Sequence, residues 1–153
     1  MKTRTDPPET GNPQFETGSQ PPTDRMARDR TEIWDHLYYC QKNYLKAIRE
    51  FGGTGQEEEE WESIVLRAAK TKDARQQKAL CMKAIKMGAR SPWPYERLAI
   101  LYGKEKDIKA AYQVCRDYFL TDNWMVPNWS TSAIRLLKRL ESLEKRIRKP
   151  LPT

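Results

Sequence analysis

Large apolar residues return every three or four positions along most of this chain, the spacing of helices buried on one face. Trp34, Leu37, Tyr38, Tyr44, Leu45, Ile48 and Phe51 follow it up to Gly52-Gly53, which predicts one amphipathic helix over residues 28–52 with a glycine stop. After Gly52-Gly53-Thr54-Gly55, Glu57 to Glu60 stand where a helix start favours acids, and Trp61, Ile64, Val65 and Ala68 carry a second helix. Asp73 is placed to cap a third, whose Leu80, Cys81, Ala84 and Ile85 run to Gly88, a natural residue just past a helix end. Ser91-Pro92 then restarts the pattern, because serine caps well and proline is tolerated in a first turn. The first 24 residues break with this periodicity. They hold five prolines and, in Phe15, one large apolar residue, too little to offset the entropy of ordering, so residues 1–27 are expected to form a disordered tail.

A shift of 34 residues superposes the chain on itself. Trp61 falls on Tyr95 and Trp129, Ile64 on Leu98, Val65 on Ala99 and Ala133, and Ala68 on Tyr102 and Leu136. The same shift aligns Leu66 with Ile100 and Ile134, Lys70 with Lys104 and Lys138, the caps Asp73 and Asp107, and Cys81 with Cys115. Each unit reads as helix, tight turn, helix. The third has no turn near Glu141: Leu136, Leu137, Leu140, Leu143 and Ile147 continue one helix to Lys149, where Pro150 ends it. The expectation is an all-α chain of about two and a half units over residues 57–149, divided as 57–90, 91–124 and a terminal capping helix in 125–149. The Trp61, Tyr95 and Trp129 column should pack between helices.

Tyr95, Leu98, Ala99, Tyr102 and Ala111 occur in the order aromatic, Leu, small residue, Tyr, Ala, and in this the second unit resembles the tetratricopeptide repeat. The preceding unit keeps Trp61, Ile64 and Ala84 but has Val65 for the small residue, Ala68 for Tyr and Gln77 for the second-helix Ala. Cys81 and Cys115 stand where the family has a large aromatic, and no proline follows Gly88. The resemblance implies a short superhelix whose first helices line a concave groove, and an adaptor rather than an enzyme, holding a peptide or helix of another protein. Carried onto this sequence, the groove positions are Glu62, Leu66, Ala69 and Lys70; Trp93, Glu96, Ile100 and Lys104; and Ser130, Ile134, Leu137 and Lys138. Helix geometry agrees, since Leu66 and Lys70 lie about 140° and 180° around the helix from Trp61. An apolar row (Leu66, Ile100, Ile134) and a lysine row (Lys70, Lys104, Lys138) then run side by side. The family's chaperone-tail clamp uses a basic and amide set that Glu62, Leu66 and Arg97 do not reproduce, so no chaperone partner is implied.

Charge sharpens this picture. The formal net charge is +7, yet residues 31–60 carry seven acids against three bases while residues 61–90 carry eight bases against two acids. A basic groove favours an acidic amphipathic segment as ligand. The alternative is nucleic-acid binding by the basic units, with Trp93, Trp124 or Trp129 stacking on bases. An open repeat end also leaves a homodimer as an option. Chemistry beyond binding finds little footing. Gly52-Gly-Thr-Gly has no following Lys-Ser/Thr, four adjacent glutamates point around a helix rather than at one cation, and Cys81 and Cys115 read as small core residues far in sequence from His36, itself read as helix surface. No enzyme activity, metal or cofactor is expected. With no signal peptide and no apolar run long enough to span a bilayer, a cytoplasmic location is the default expectation and a membrane partner is not expected.

Overall fold

The computed structural model describes residues 30–53 and 59–148. The tail expected to be disordered, residues 1–27, lies outside these, as do Lys149 and Pro150. The described residues form seven α-helices and no strand: α1 (Arg30–Lys42), α2 (Tyr44–Phe51), α3 (Glu60–Lys70), α4 (Ala74–Lys86), α5 (Trp93–Lys104), α6 (Ile108–Phe119) and α7 (Ser130–Arg148). Two 3₁₀ turns, Asn123–Met125 and Pro127–Trp129, lead into α7. From α3 onward each helix packs chiefly against its neighbour in the chain, as antiparallel hairpins with short turns.

Local chemistry sets the helix ends. Asp73 accepts a hydrogen bond from the Gln76 amide at 2.9 Å and Asp107 one from Ala110 at 3.1 Å, so equivalent aspartates start α4 and α6. At α3 the Glu62 carboxylate reaches back to the Glu59 amide at 2.8 Å. Gly88 takes φ +92°, a conformation open to glycine, and lets the Ala89 amide close on the Ala84 carbonyl at 3.0 Å. Gln77 stands 34 residues before Ala111 and has work an alanine lacks. Its half-buried amide donates to the Ala68 carbonyl at 2.9 Å and satisfies the last turn of α3.

The apolar stripes of successive helices pack against one another. Trp61, Ile64 and Ala68 of α3 pack with Leu80, Cys81 and Ala84 of α4, and Leu98 of α5 joins them. In the second hairpin Tyr118 is fully buried, edge-on to Tyr95 at 5.1 Å and to Phe119 at 5.2 Å, and its hydroxyl donates to the Arg90 carbonyl at 3.3 Å. Tyr95 is buried as expected, but Trp129 is half-buried and sits in the 3₁₀ turn ahead of α7. Its ring meets Trp61 at 6.4 Å, so positions two repeat lengths apart touch directly.

The N-terminal region differs most from expectation. The single helix expected over 28–52 is a hairpin, broken at Asn43, whose φ −124° and ψ 50° leave the helical region while its side chain bonds the Tyr39 carbonyl at 3.3 Å. The fold-back brings Tyr39 to Glu50, which accepts its hydroxyl, and His36 to Phe51, ring centroids 4.7 Å apart. The buried stripe of α1 is Ile33, Leu37 and Cys40, at i, i+4 and i+7, whereas Tyr38, Tyr44, Leu45 and Phe51 are exposed. Beside this stripe, α1 reaches the far end of the chain. The Trp34 indole donates to Glu141 of α7 at 2.8 Å, and His36 Nε2 donates to the Met125 carbonyl at 2.8 Å while its ring meets Trp124 edge-on at 5.4 Å. His36, expected on a helix surface, is a half-buried contact residue between the first helix and the turn before the last.

Candidate functional site

Two surfaces deserve comparison. The first is the row expected from the 34-residue spacing. Lys70, Lys104 and Lys138 are exposed and make no ion pair among the described residues, and Leu66 is 61% exposed. The rest of the row is taken up by the fold. Trp93 is half-buried against the α3–α4 core with the Arg97 guanidinium over its ring at 5.5 Å, and Ile100 is half-buried. Glu96 accepts two hydrogen bonds from Arg135, at 3.1 and 3.3 Å, which ties α5 to α7. Ile134, expected to be partly exposed, is 6% exposed, and Leu137 is fully buried. Positions 134, 137 and 141 share one face of α7, and Trp34 of α1 bonds Glu141 on that face. Of the expected row, an apolar-and-basic surface survives on α3 and α5 alone.

The second surface was not singled out by the sequence. Helices α4 and α6 flank α5 and leave an open trough of about 620 Å³, within the size range of ligand clefts. Tyr95, Leu98 and Tyr102, at i, i+3 and i+7 of α5, form its floor. The α4 wall presents Met82, 50% exposed, with Lys83 and Lys86 on the rim; the α6 wall presents Val114 and Asp117. At the Tyr102 end, Lys78 lies over the Tyr102 ring at 4.5 Å and donates to Glu105 at 2.9 Å, so this lysine is engaged within the fold. Burial of Asp117 against the trough raises its carboxyl above the ordinary value, an effect partly offset by Arg116 and by a hydrogen bond from Gln113. One signal in the sequence pointed here: from Ala74 to Tyr95 there are five bases and no acid. It was read as part of a general basic excess, because whether Met82 packs or projects depends on how far α4 stands from α6.

The other chemical candidates are accounted for by packing. Cys40, Cys81 and Cys115 are free and buried. Burial pushes the Cys81 thiol up to about 11 and that of Cys115 up to about 12, opposite to what an activated thiolate needs. Cys40 lies 3.3 Å from His36 Nε2, yet it is fully buried and its thiol is also raised, mainly by burial. Trp93 and Trp124, expected as exposed stacking platforms, are both half-buried. Among the described residues no group of three or more His, Cys, Asp or Glu is placed to hold a metal ion, and no helix is long and apolar enough to cross a membrane. Comparison of the chain with models of known protein families, with curated proteins and with solved structures found no match.

Proposed function

We propose that this chain is a protein-interaction module, a non-enzymatic adaptor of the tetratricopeptide-like kind that receives an apolar-faced segment of another protein. The observation that carries this reading is the trough between α4 and α6. A side chain such as Met82, half-exposed beside an apolar floor of Tyr95, Leu98 and Tyr102, is the composition of an adaptable docking surface. Further support comes from the 34-residue repeat with its paired caps. The trough replaces the concave row as the preferred site, because Ile134 and Leu137 are buried and internal contacts engage Trp93 and Glu96.

The test is chemical-shift mapping on isotope-labelled protein with a synthetic amphipathic helix of leucine and glutamine. Shifts should gather at Met82, Ile85, Tyr102 and Val114, and Met82→Glu should abolish them. Shifts at Leu66 and Ile100 would restore the concave row, and no shift at either surface would sink the reading. A second reading, nucleic-acid binding, is favoured by one observation, the exposed row of Lys70, Lys104 and Lys138, which makes no ion pair among the described residues. Its mark is salt dependence: three phosphate contacts imply a slope of roughly −2 to −3 in log K against log salt. A titration with a duplex oligonucleotide at rising salt separates the two.

A further inference from the structure

We infer that the occupant of the trough is an amphipathic α-helix of a partner protein with acids along one edge, set against Lys83 and Lys86 of α4, and a base on the other edge, set toward Asp117 of α6. This rests on the reading of the trough as a docking site and adds the partner's secondary structure and charge pattern.

A helix is required because the trough has nothing to offer an extended backbone. Its walls are helices, whose amides and carbonyls bond one another, so an extended peptide would bury backbone groups without partners, whereas a helix satisfies its own. The floor runs from Tyr95 to Tyr102, seven residues or about 10 Å, the length of two helical turns. Two turns present apolar side chains at i, i+3 or i+4, and i+7, matching that floor.

The charge pattern follows from which ions are already paired. Lys78, Arg90 and Arg135 hold Glu105, Glu59 and Glu96. Lys83 and Lys86 are exposed on the rim, three residues apart on one helix face, with no ion pair among the described residues. Nothing acidic on α4 answers them, since Ala74 to Lys86 contains no acid. Across the trough, Asp117 is the one charged lining residue of the α6 wall, exposed and with no ion pair among the described residues. The two walls therefore carry opposite charge over an apolar floor. A nucleic-acid backbone fits poorly, because Asp117 repels phosphate and the floor carries no cation.

The experiment uses the whole chain and three synthetic 16-residue helices sharing one leucine face. One has glutamate along one edge and lysine along the other, one has glutamine on both edges, and one has lysine on both. At low salt the first should bind about five- to tenfold more tightly than the glutamine peptide and the all-lysine peptide more weakly, with the preference shrinking at high salt. Lys83→Glu with Lys86→Glu should reverse that order, and Lys83→Gln with Lys86→Gln should erase it; all four substitutions lie at exposed positions, and circular dichroism checks the fold. Because a helix turned end for end exchanges its edges, swapping the glutamate and lysine edges should reverse the bound direction. A spin label on the peptide N-terminus reads this from which end of the trough it broadens. If the glutamine peptide binds as tightly as the first and neither double variant matters, the charge pattern is wrong while the docking site stands. If no peptide binds, both fail. Concentration-dependent dimerisation that shifts the trough resonances without peptide, or an oligonucleotide whose binding depends on Lys83 and Lys86, would each overturn the proposed occupant.

Discussion

The buried stripe of α1 makes Leu37→Ala the most informative perturbation of the fold. Leu37 is 0% exposed, between Ile33 and Cys40 on the covered stripe of α1. Truncation to alanine removes about three methylene equivalents, worth roughly 2–2.5 kcal/mol in transfer energy, and the cavity left behind brings buried Leu→Ala changes to about 2.7–5 kcal/mol. For a folded unit of this size each kcal/mol moves the melting temperature by about 4 °C, so a drop of roughly 11–20 °C is expected. Leu45→Ala is the matched control. It removes the same atoms from the same hairpin, but Leu45 is 72% exposed and its loss should stay within about 0.5 kcal/mol. The assay is thermal and urea unfolding followed by circular dichroism. A Leu37→Ala melt within about 2 °C of wild type, or a Leu45→Ala loss of the same size, would refute the claim that α1 is docked by its Ile33, Leu37 and Cys40 face. A double-mutant cycle of Trp34→Phe with Glu141→Ala then tests the contact with α7: the hydrogen bond predicts a coupling of about 0.5–1.5 kcal/mol, and additivity would remove that bond from the account.

Two further predictions concern the helix starts and the trough. Asp73→Ala and Asp107→Ala each remove a side-chain acceptor from an amide in the first turn and should cost about 1 kcal/mol in urea unfolding; equal stability of either variant with wild type would remove that cap from the account. The Asp117 carboxyl is raised in the folded state, so folding disfavours its charged form, and that penalty is fully present above the folded pKa and gone below the unfolded one. Asp117→Asn should therefore be slightly more stable than wild type at neutral pH, by no more than about 0.5 kcal/mol, and the advantage should vanish as pH falls through the carboxylate range. A variant less stable at neutral pH would contradict the sign.

Much of the candidate trough was out of reach of the sequence, although its parts were visible. The Tyr95, Leu98 and Tyr102 stripe was legible as the apolar face of a helix, and the acid-free run from Ala74 to Tyr95 as a basic segment. What spacing does not encode is the distance between α4 and α6, and that distance decides whether the Tyr102 side of the stripe is roofed over or open. The concave row shows the converse. Lys70, Lys104 and Lys138 are exposed, as their place on the helix implied, while Ile134 is buried by tertiary packing.

What the sequence determined by itself is what local chemistry controls. The helical period, the aspartate caps at Asp73 and Asp107, the glycine exit at Gly88 and the unbroken last helix each depend on residues within a turn or two of one another, so reading neighbours is enough. The tertiary structure decided everything that needs a distant partner. An amphipathic stripe states that something covers it, not what, so the bond of Trp34 to Glu141 and the meeting of Trp61 with Trp129 had no local signature. The break at Asn43 belongs to the same class. Its backbone leaves the helix, and the fold-back that results sets Phe51 against His36 and the Tyr39 hydroxyl against Glu50, contacts that exist once the hairpin has closed.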